Sequence, residues 1–160
     1  MPGSGPRRAD RTRRPGGISA ELTPDQQARH HRRTRRAKES AVVEDYVELV
    51  ADLYEQQGEV RAVDIVRRLG VTHATVTKMI GRLKEMGLVT AEPYRAVFLT
   101  AEGWRLAREC RRRHRLVVDF LRALGVPEEV ARTDAEGIEH YCSPETLEAF
   151  ARLLRERGEA

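Results

Sequence analysis

The stretch DAEGIEHY, residues 134–141, places Glu136 three residues before Glu139 and four before His140. In a helix these three side chains leave from one face. Carboxylates at that spacing repel each other mildly, and Gly137 costs a helix about 1 kcal/mol relative to alanine. A cation would relieve the repulsion, and the missing side chain at 137 would let another helix approach. Three further residues carry similar chemistry. His114 falls on an apolar stripe made by Ala107, Cys110, Val117 and Leu121, recurring at 3, 4, 3 and 4. The ordinary reading of such a histidine is a satisfied core or interface imidazole. Asp45 and Glu48 are three apart, roughly 60° from one another about a helix axis, and Asp45 borders an apolar stripe beside Leu49. Glu44, Asp52 and Glu55 widen that acidic sector, so pattern alone favours a solvated face there. A competing thiol set, Cys110 with His114 and His140 with Cys142, would suit zinc. It ranks lower, because residues two apart on a helix diverge by roughly 200°. On pattern alone a cation site and a fortuitous Glu-x-x-Glu-His string both remain open.

The elements that would position these residues follow from periodicity. Val42, Tyr46, Leu49 and Leu53 mark an amphipathic helix from about Glu39, ended by QQGE at 56–59. VDIVRRLGV (63–71) predicts a short helix stopped by Gly70, and THATVTKMIGRLKEMG (72–87) a third, with Thr72 as N-cap and Gly87 just past its end. LVTAEPYRAVFLT (88–100) reads as a hairpin turning at Glu-Pro-Tyr-Arg. Thr100 caps a long helix over about 101–124, and two shorter helices follow near 127–132 and 134–141. A last helix begins at Ser143-Pro144, an N-cap followed by proline at the first helical position.

The charge is unevenly spread. The chain of 160 residues carries a formal net charge of +4, yet residues 1–38 hold eleven Lys or Arg against three acids. The remainder is therefore net acidic, and the basic character lies in an amino-terminal segment expected to be disordered. That segment either adds salt-sensitive affinity for phosphates or acts as a solubilising extension; no role is assigned to His30 and His31. No apolar run is long enough to span a membrane, and the arginine-rich start lacks the apolar stretch of a secretory signal. A cytoplasmic protein with two free thiols, Cys110 and Cys142, is the expectation.

Helix, turn, helix and hairpin in succession describe a winged helix-turn-helix. The exposed start of the second helix offers Thr72, His73, Thr75 and Thr77, short enough for the helix to enter a major groove. Its amino terminus favours phosphate. Lys78 and Arg82 follow on the polar side, and Arg95 at the hairpin tip is placed for the DNA backbone or minor groove. A helical pair used only for packing or protein contact is the alternative.

Taken together, VEDYVELV (43–50), VTHATVTKMIGRL (71–83), YRAVFLTAEG (94–103), RRHRLVVDFLRALGV (112–126) and DAEGIEHY resemble the diphtheria-toxin-repressor (iron-dependent repressor) family, and within it the manganese transport regulator branch. The likeness is collinear from about 40 to 155. It implies a mainly α fold: a disordered basic tail over 1–38, a winged helix-turn-helix domain over 39–103 with three helices and a β-hairpin wing, and an all-α dimerisation and metal-binding domain over 104–160. No SH3-like third domain is expected. The family's D-Y-x-E, linking-helix histidine and E-G-x-E-H motifs fall on Asp45, Glu48, His114, Glu136, Glu139 and His140 as metal ligands. Tyr141 stands where close relatives often carry a second histidine, and is not expected to bind metal. The implied cofactor is Mn²⁺, two ions per subunit, with Fe²⁺, Co²⁺ or Zn²⁺ as substitutes. An oxygen-rich donor set suits the harder Mn²⁺.

The resemblance thus implies a homodimeric repressor of manganese-uptake genes that binds a palindromic double-stranded DNA operator when metal ties the first helix to the dimer core. It implies no enzyme activity, membrane partner or small organic substrate. The alternatives are an iron- or zinc-responsive repressor of the same family and a metal-independent winged-helix regulator. A dinuclear hydrolase is disfavoured by the absence of a nucleophile motif or substrate loop.

Overall fold

A Thr-Pro-Asp-Gln string opens the first helix. In the computed structural model, which describes residues 22–91 and 95–158, the Thr23 hydroxyl accepts from Gln26 N at 3.3 Å while the Gln26 side chain accepts from Thr23 N at 2.8 Å. This reciprocal box caps α1, Pro24–Gln57, with proline at its first position. The helix therefore begins well before Glu39, and residues 24–38 of the expected disordered tail are helical. The physical reason is local: the capping box starts the helix, and no glycine or proline interrupts the chain between Asp25 and Gln57. Residues 1–21 of that expected tail lie outside the described residues. The boundary between the chain's two units falls after Arg33, and both hydrophobic cores lie beyond it.

Burial along α1 starts at Ala41 and runs through Val43, Tyr46, Val47, Val50, Ala51 and Leu53; Val42, expected on this stripe, is 38% exposed. Gly58, at φ +76°, ends the helix. The short α2, Ala62–Leu69, starts where the Asp64 carboxylate accepts from Arg61 N, and stops at Gly70 at φ +66°. Helix α3, His73–Glu85, is capped as its sequence requires, the Thr72 hydroxyl accepting from Thr75 N. The wing pairs β1, Val89–Ala91, antiparallel to β2, Val97–Leu99, with Val89 opposite Leu99. Val97 N also donates to Val60 O at 2.7 Å, fastening the wing to the loop after α1. The turn expected at Glu-Pro-Tyr-Arg lies largely outside the described residues. Ile65, Val76, Leu83, Leu88, Val89 and Val97 close one core with the α1 stripe and Ala107.

Helix α4, Ala101–Ala123, leaves this domain through a tight contact. Thr100 caps it and donates its hydroxyl to Gly87 O at 2.7 Å. A Cβ at Gly103 would lie 2.1 Å from Leu88 O, so only glycine lets the helix start so close to the wing. The far end of α4 packs Val117 and Val118 against Ala131 and Ala135 of α5, with Leu147 and Phe150 of α6 alongside. Helix α5 is one continuous element, Glu128–Tyr141, rather than the expected pair. Ala131, Ala135 and Ile138, on either side of the expected break, pack against the α4 core and keep the helix continuous. Ser143 caps α6, Pro144–Arg157. Among the described residues no helix is long and apolar enough to cross a membrane.

Candidate metal centre and nucleic-acid interface

Helix α5 buries Ala131, Ala135 and Glu139, positions four apart. Two alanines and a glutamate thus share the stripe that faces α4. Glu139 is 2% exposed, the one buried charged residue among those described. Neither of its carboxylate oxygens has a hydrogen-bond partner, and neither does Arg113 Nε, which lies 3.7 Å from Glu139 Oε2. Burying an ionised carboxylate without partners costs several kcal/mol. Burial accordingly pushes the Glu139 carboxyl up, against the pull of His140, His114 and Arg113.

Two neighbours complete a compact group. His114 Nδ1 lies 3.5 Å from Glu139 Oε1 and 3.7 Å from Glu136 Oε1. One ligand atom from each of His114, Glu136 and Glu139 falls within 4.8 Å of the other two, the spacing a single cation would need. Glu48 reaches the same region from α1. Burial, then the charges of Glu139 and Glu136, lift its carboxyl to about 7. Asp45, Glu48, His114 and Glu136 all line one open cleft of about 1100 Å³.

His140 is arranged differently. Its Nδ1 donates to Glu44 Oε2 at 2.8 Å, and its Nε2 faces Asp45 Oδ1 at 3.2 Å. A ring with a carboxylate on each nitrogen is an imidazolium, and the bonds to Asp45 and Glu44 raise it to about 10. Arg113 supports this pair, its Nη2 bonding Glu44 Oε2 at 2.6 Å and Cys110 Sγ at 3.3 Å. Burial raises the Glu44 carboxyl, but the His140 bond and the Arg113 charge outweigh it, and the net effect is downward.

All six residues expected from the family motifs therefore sit in one region of α1, α4 and α5. The structure groups His114, Glu136 and Glu139 directly and joins Asp45 to His140, while Glu48 faces the same cleft. Glu44 and Arg113 are additions that pattern reading passed over. Glu44 was merged with the acidic sector, and Arg113 is hidden in an arginine run. The usable signal was spacing: Arg113 falls three residues after Cys110 and four before Val117, on the buried stripe of α4. The rest of the acidic sector has another use, for Asp52 and Glu55 pair with Arg111 of α4 at 2.5 and 2.8 Å. Among the described residues the metal-ligating group that assembles is His114, Glu136 and Glu139, without a thiol; Cys110 is buried, and burial pushes its thiol up to about 12. The expectation that Gly137 admits a neighbouring helix also fails. The residue is exposed, and a Cβ there would meet nothing within 4 Å, because position 137 points away from the face that carries 135 and 139.

On α3, Thr72, His73, Thr75, Thr77, Lys78 and Arg82 are exposed, as is Arg95 beside the wing, while Val76 and Leu83 are buried. The Thr72 and Thr75 hydroxyls engage each other at 2.9 Å, and Thr77 Oγ1 lies 3.2 Å from His73 Nδ1. A groove of about 670 Å³ beside α3 is lined by Arg61, His73, Thr77, Lys84 and Arg95. Arg61 and Lys84 were not singled out in the sequence. Lys84 donates to Ala91 O at 3.0 Å and so fixes the wing to α3.

Comparison with known proteins points the same way. Residues 39–97 match the family described as "Iron dependent repressor, N-terminal DNA binding domain", and residues 100–159 match "Iron dependent repressor, metal binding and dimerisation domain". The chain is 51% identical over 127 residues to the transcriptional regulator MntR of Escherichia coli O6:H1 (strain CFT073), covering 79% of this chain and 82% of that one. To MntR of Salmonella typhimurium (strain LT2) the identity is 49%, covering 79% and 81%. A solved structure described as a manganese-dependent transcriptional repressor in complex with manganese superposes with a TM-score of 0.61 at 32% identity, covering 74% of this chain. This chain spans 53% of the length of that one. The chain belongs to the iron-dependent repressor family, in its manganese transport regulator branch, and is a metal-sensing DNA-binding transcriptional repressor rather than an enzyme.

Proposed function

We propose that the protein is an Mn²⁺-activated repressor that binds a palindromic operator as a homodimer and controls genes of manganese uptake. The observation that carries the metal reading is Glu139, a buried carboxylate with no hydrogen bond to either oxygen, beside His114 and Glu136. An oxygen-rich set with imidazole nitrogen fits a divalent cation of the harder kind. Asp45, Glu48, His114, Glu136, Glu139 and His140 would hold it, with one or two ions per subunit. When bound, the cation supplies the positive charge that this cluster of carboxylates lacks.

The chain's own groups do the rest. Glu48 must shed the proton that its surroundings favour, and His140 must release one before its Nε2 lone pair is available. Asp45 is at the same time freed from its ion pair with His140. Asp45 and Glu48 stand on α1, whose buried stripe belongs to the core of the DNA-reading domain, whereas the other ligands stand on α4 and α5. Drawing the carboxylates of α1 to those of α5 therefore fixes the reading domain against the dimerisation helices. Fewer conformations are then given up when two recognition helices dock at one spacing. Thr72, His73, Thr75, Thr77, Lys78, Arg82 and Arg95 form the proposed DNA surface.

An operator gel shift across Mn²⁺, Fe²⁺, Zn²⁺ and chelator tests the reading. The expected result is a complex formed with Mn²⁺ and lost in chelator. Equal affinity in both would make the protein a metal-independent regulator, and a stronger response to Fe²⁺ or Zn²⁺ would reassign the metal.

A further inference from the structure

Glu44 and Asp45 are consecutive on α1, yet both reach the same imidazole of α5. Glu44 Oε2 accepts from His140 Nδ1 at 2.8 Å, and Asp45 Oδ1 faces Nε2 at 3.2 Å. The ring is buried, and neighbouring carboxylates clasp it on both edges. The two carboxylates differ in what else holds them. Glu44 has both oxygens engaged: Oε1 accepts from the Ser40 hydroxyl at 2.9 Å, and Oε2 accepts from Arg113 Nη2 at 2.6 Å as well as from the ring. Its side chain is 12% exposed, whereas that of Asp45 is 53% exposed and lines the open cleft with Glu48, His114 and Glu136. Glu44 borders a different cavity, of about 520 Å³, together with Arg113 and His140. A metal ligand needs a lone pair to give and a way in for the ion, and on both counts Asp45 is suited and Glu44 is not.

We propose that Glu44 is a positioning residue of the metal centre: it holds His140 by Nδ1 so that Nε2 is the nitrogen presented to the cation, beside Asp45, and Arg113 holds Glu44 in turn. This rests on the reading of His140 as a ligand and deepens it. An imidazole that ligates through one nitrogen normally donates its other N–H to a carboxylate or carbonyl, which fixes both its tautomer and its ring plane. The orienting carboxylate must keep its place while the ligands around it rearrange. Glu44 is built for that, since its bonds tie α1 to α4 through Arg113 and to α5 through His140. Successive residues of a helix diverge by roughly 100°, so α1 supplies the fixed carboxylate and the mobile one from adjacent positions on two sides of a single ring. Without the bond to Glu44 the imidazole can turn about its side-chain torsions, and part of the free energy of metal binding goes into ordering it again.

The test is an Mn²⁺ titration of the full-length protein without DNA, with free Mn²⁺ read by electron paramagnetic resonance, for the wild type, Glu44→Asp, Glu44→Ala and His140→Ala. Loss of the orienting partner should weaken Mn²⁺ binding roughly 10- to 100-fold. Glu44→Asp keeps the charge beside Arg113 but draws the carboxylate back by one methylene, so it decides the matter if Glu44→Ala does not fold. A second readout separates orientation from a general structural role. In the Zn²⁺-loaded wild type, nitrogen–proton NMR of the imidazoles should show a solvent-protected Nδ1 proton on His140, and both Glu44 variants should lose that protection. Unchanged Mn²⁺ affinity in the Glu44 variants would overturn the proposal. So would weaker binding with the protected proton retained, which would leave Glu44 a structural ion-pair partner only. His140→Ala binding Mn²⁺ as tightly as the wild type would remove His140 from the ligand set and the proposal with it. If the wild type binds no Mn²⁺ at all, the metal reading itself fails.

Discussion

Replacing Glu48 by glutamine should make the metal-free protein more stable and the metal-loaded protein worse. In the folded chain the Glu48 carboxyl is raised from an ordinary 4.5 to about 7, by burial first and then by Glu139 and Glu136. Between those two values the folded state binds more protons than the unfolded state, so stability falls as pH rises through the window. The full difference corresponds to at most roughly 3 kcal/mol. Because the side chain borders an open cleft, solvent screening leaves about 1–2 kcal/mol of it. Glu48→Gln carries no charge at any pH. At pH 8 in chelator it should gain that amount, and at pH 4, where the wild-type group is mostly protonated in both states, it should gain almost nothing. Urea denaturation at fixed protomer concentration, at both pH values, measures the difference. In Mn²⁺ the order should reverse, because a ligand is missing and the stabilisation by bound ion shrinks with its affinity. A variant no more stable than wild type at pH 8, or equally stabilised at both pH values, would refute the claim that like-charge crowding and burial govern this site.

Three further substitutions probe other parts of the arrangement. His114→Ala should abolish Mn²⁺-dependent operator binding yet keep the circular dichroism spectrum of the wild type, since the side chain is 21% exposed and lies beside the core rather than within it. Glu44→Gln should destabilise the metal-free protein by about 1–3 kcal/mol near neutral pH, leaving the half-buried Arg113 without its closest carboxylate. His140 is raised to about 10, so its stabilising share is fully present below its ordinary 6.5 and fades as pH rises through 10; the variant's deficit should narrow there, and an NMR titration should show His140 losing its proton at lower pH. Gly137→Ala should raise the thermal midpoint by an amount worth about 1 kcal/mol with unaltered Mn²⁺ affinity, because the added methyl meets nothing.

Much of this arrangement was written in local pattern. Thr72, Thr100 and Ser143 announce three helix starts, and each hydroxyl accepts from the backbone N–H that capping chemistry requires. The hairpin follows from two β-prone runs, and the proposed ligand residues from motifs collinear with a family. The start of α1 was concealed because composition over 1–38 reads as disorder, while Thr23, Pro24 and Gln26 form a box that composition does not register. The single α5 is expected as two helices, near 127–132 and 134–141; Ala131, Ala135 and Ile138 pack against α4 on one stripe that runs through the expected gap. The role of Glu44 was illegible. It depends on His140 and Arg113 arriving from α5 and α4, 96 and 69 residues away, and no spacing within α1 separates Glu44 from Asp52 or Glu55.

That long-range dependence also explains why a repressor would carry so uncomfortable a centre. A ligand shifts an equilibrium only by the difference in its affinity for the two states. A site already neutralised by its own arginines and histidines would gain little from a cation and would hold the reading domain in place without one. Here the pairing is partial. Glu44 is satisfied by Arg113 and His140, which gives α1 a partner on α4 and α5 even in chelator. Glu139, buried without a hydrogen bond, and Glu48, half-buried in the same region, are left crowded. On the proposed reading, the first group would limit how far the metal-free domain departs, and the second would contribute free energy that metal binding recovers. Moving a two-state equilibrium from about 1:99 to about 99:1 takes roughly 5.5 kcal/mol of differential binding. The ion pairs of Glu139 with His114 and Arg113 offset part of its burial cost, so these two carboxylates supply a share of that difference. On the proposed reading, relieving the crowding at Glu139 or Glu48 by substitution should trade metal sensitivity for stability at each position in turn.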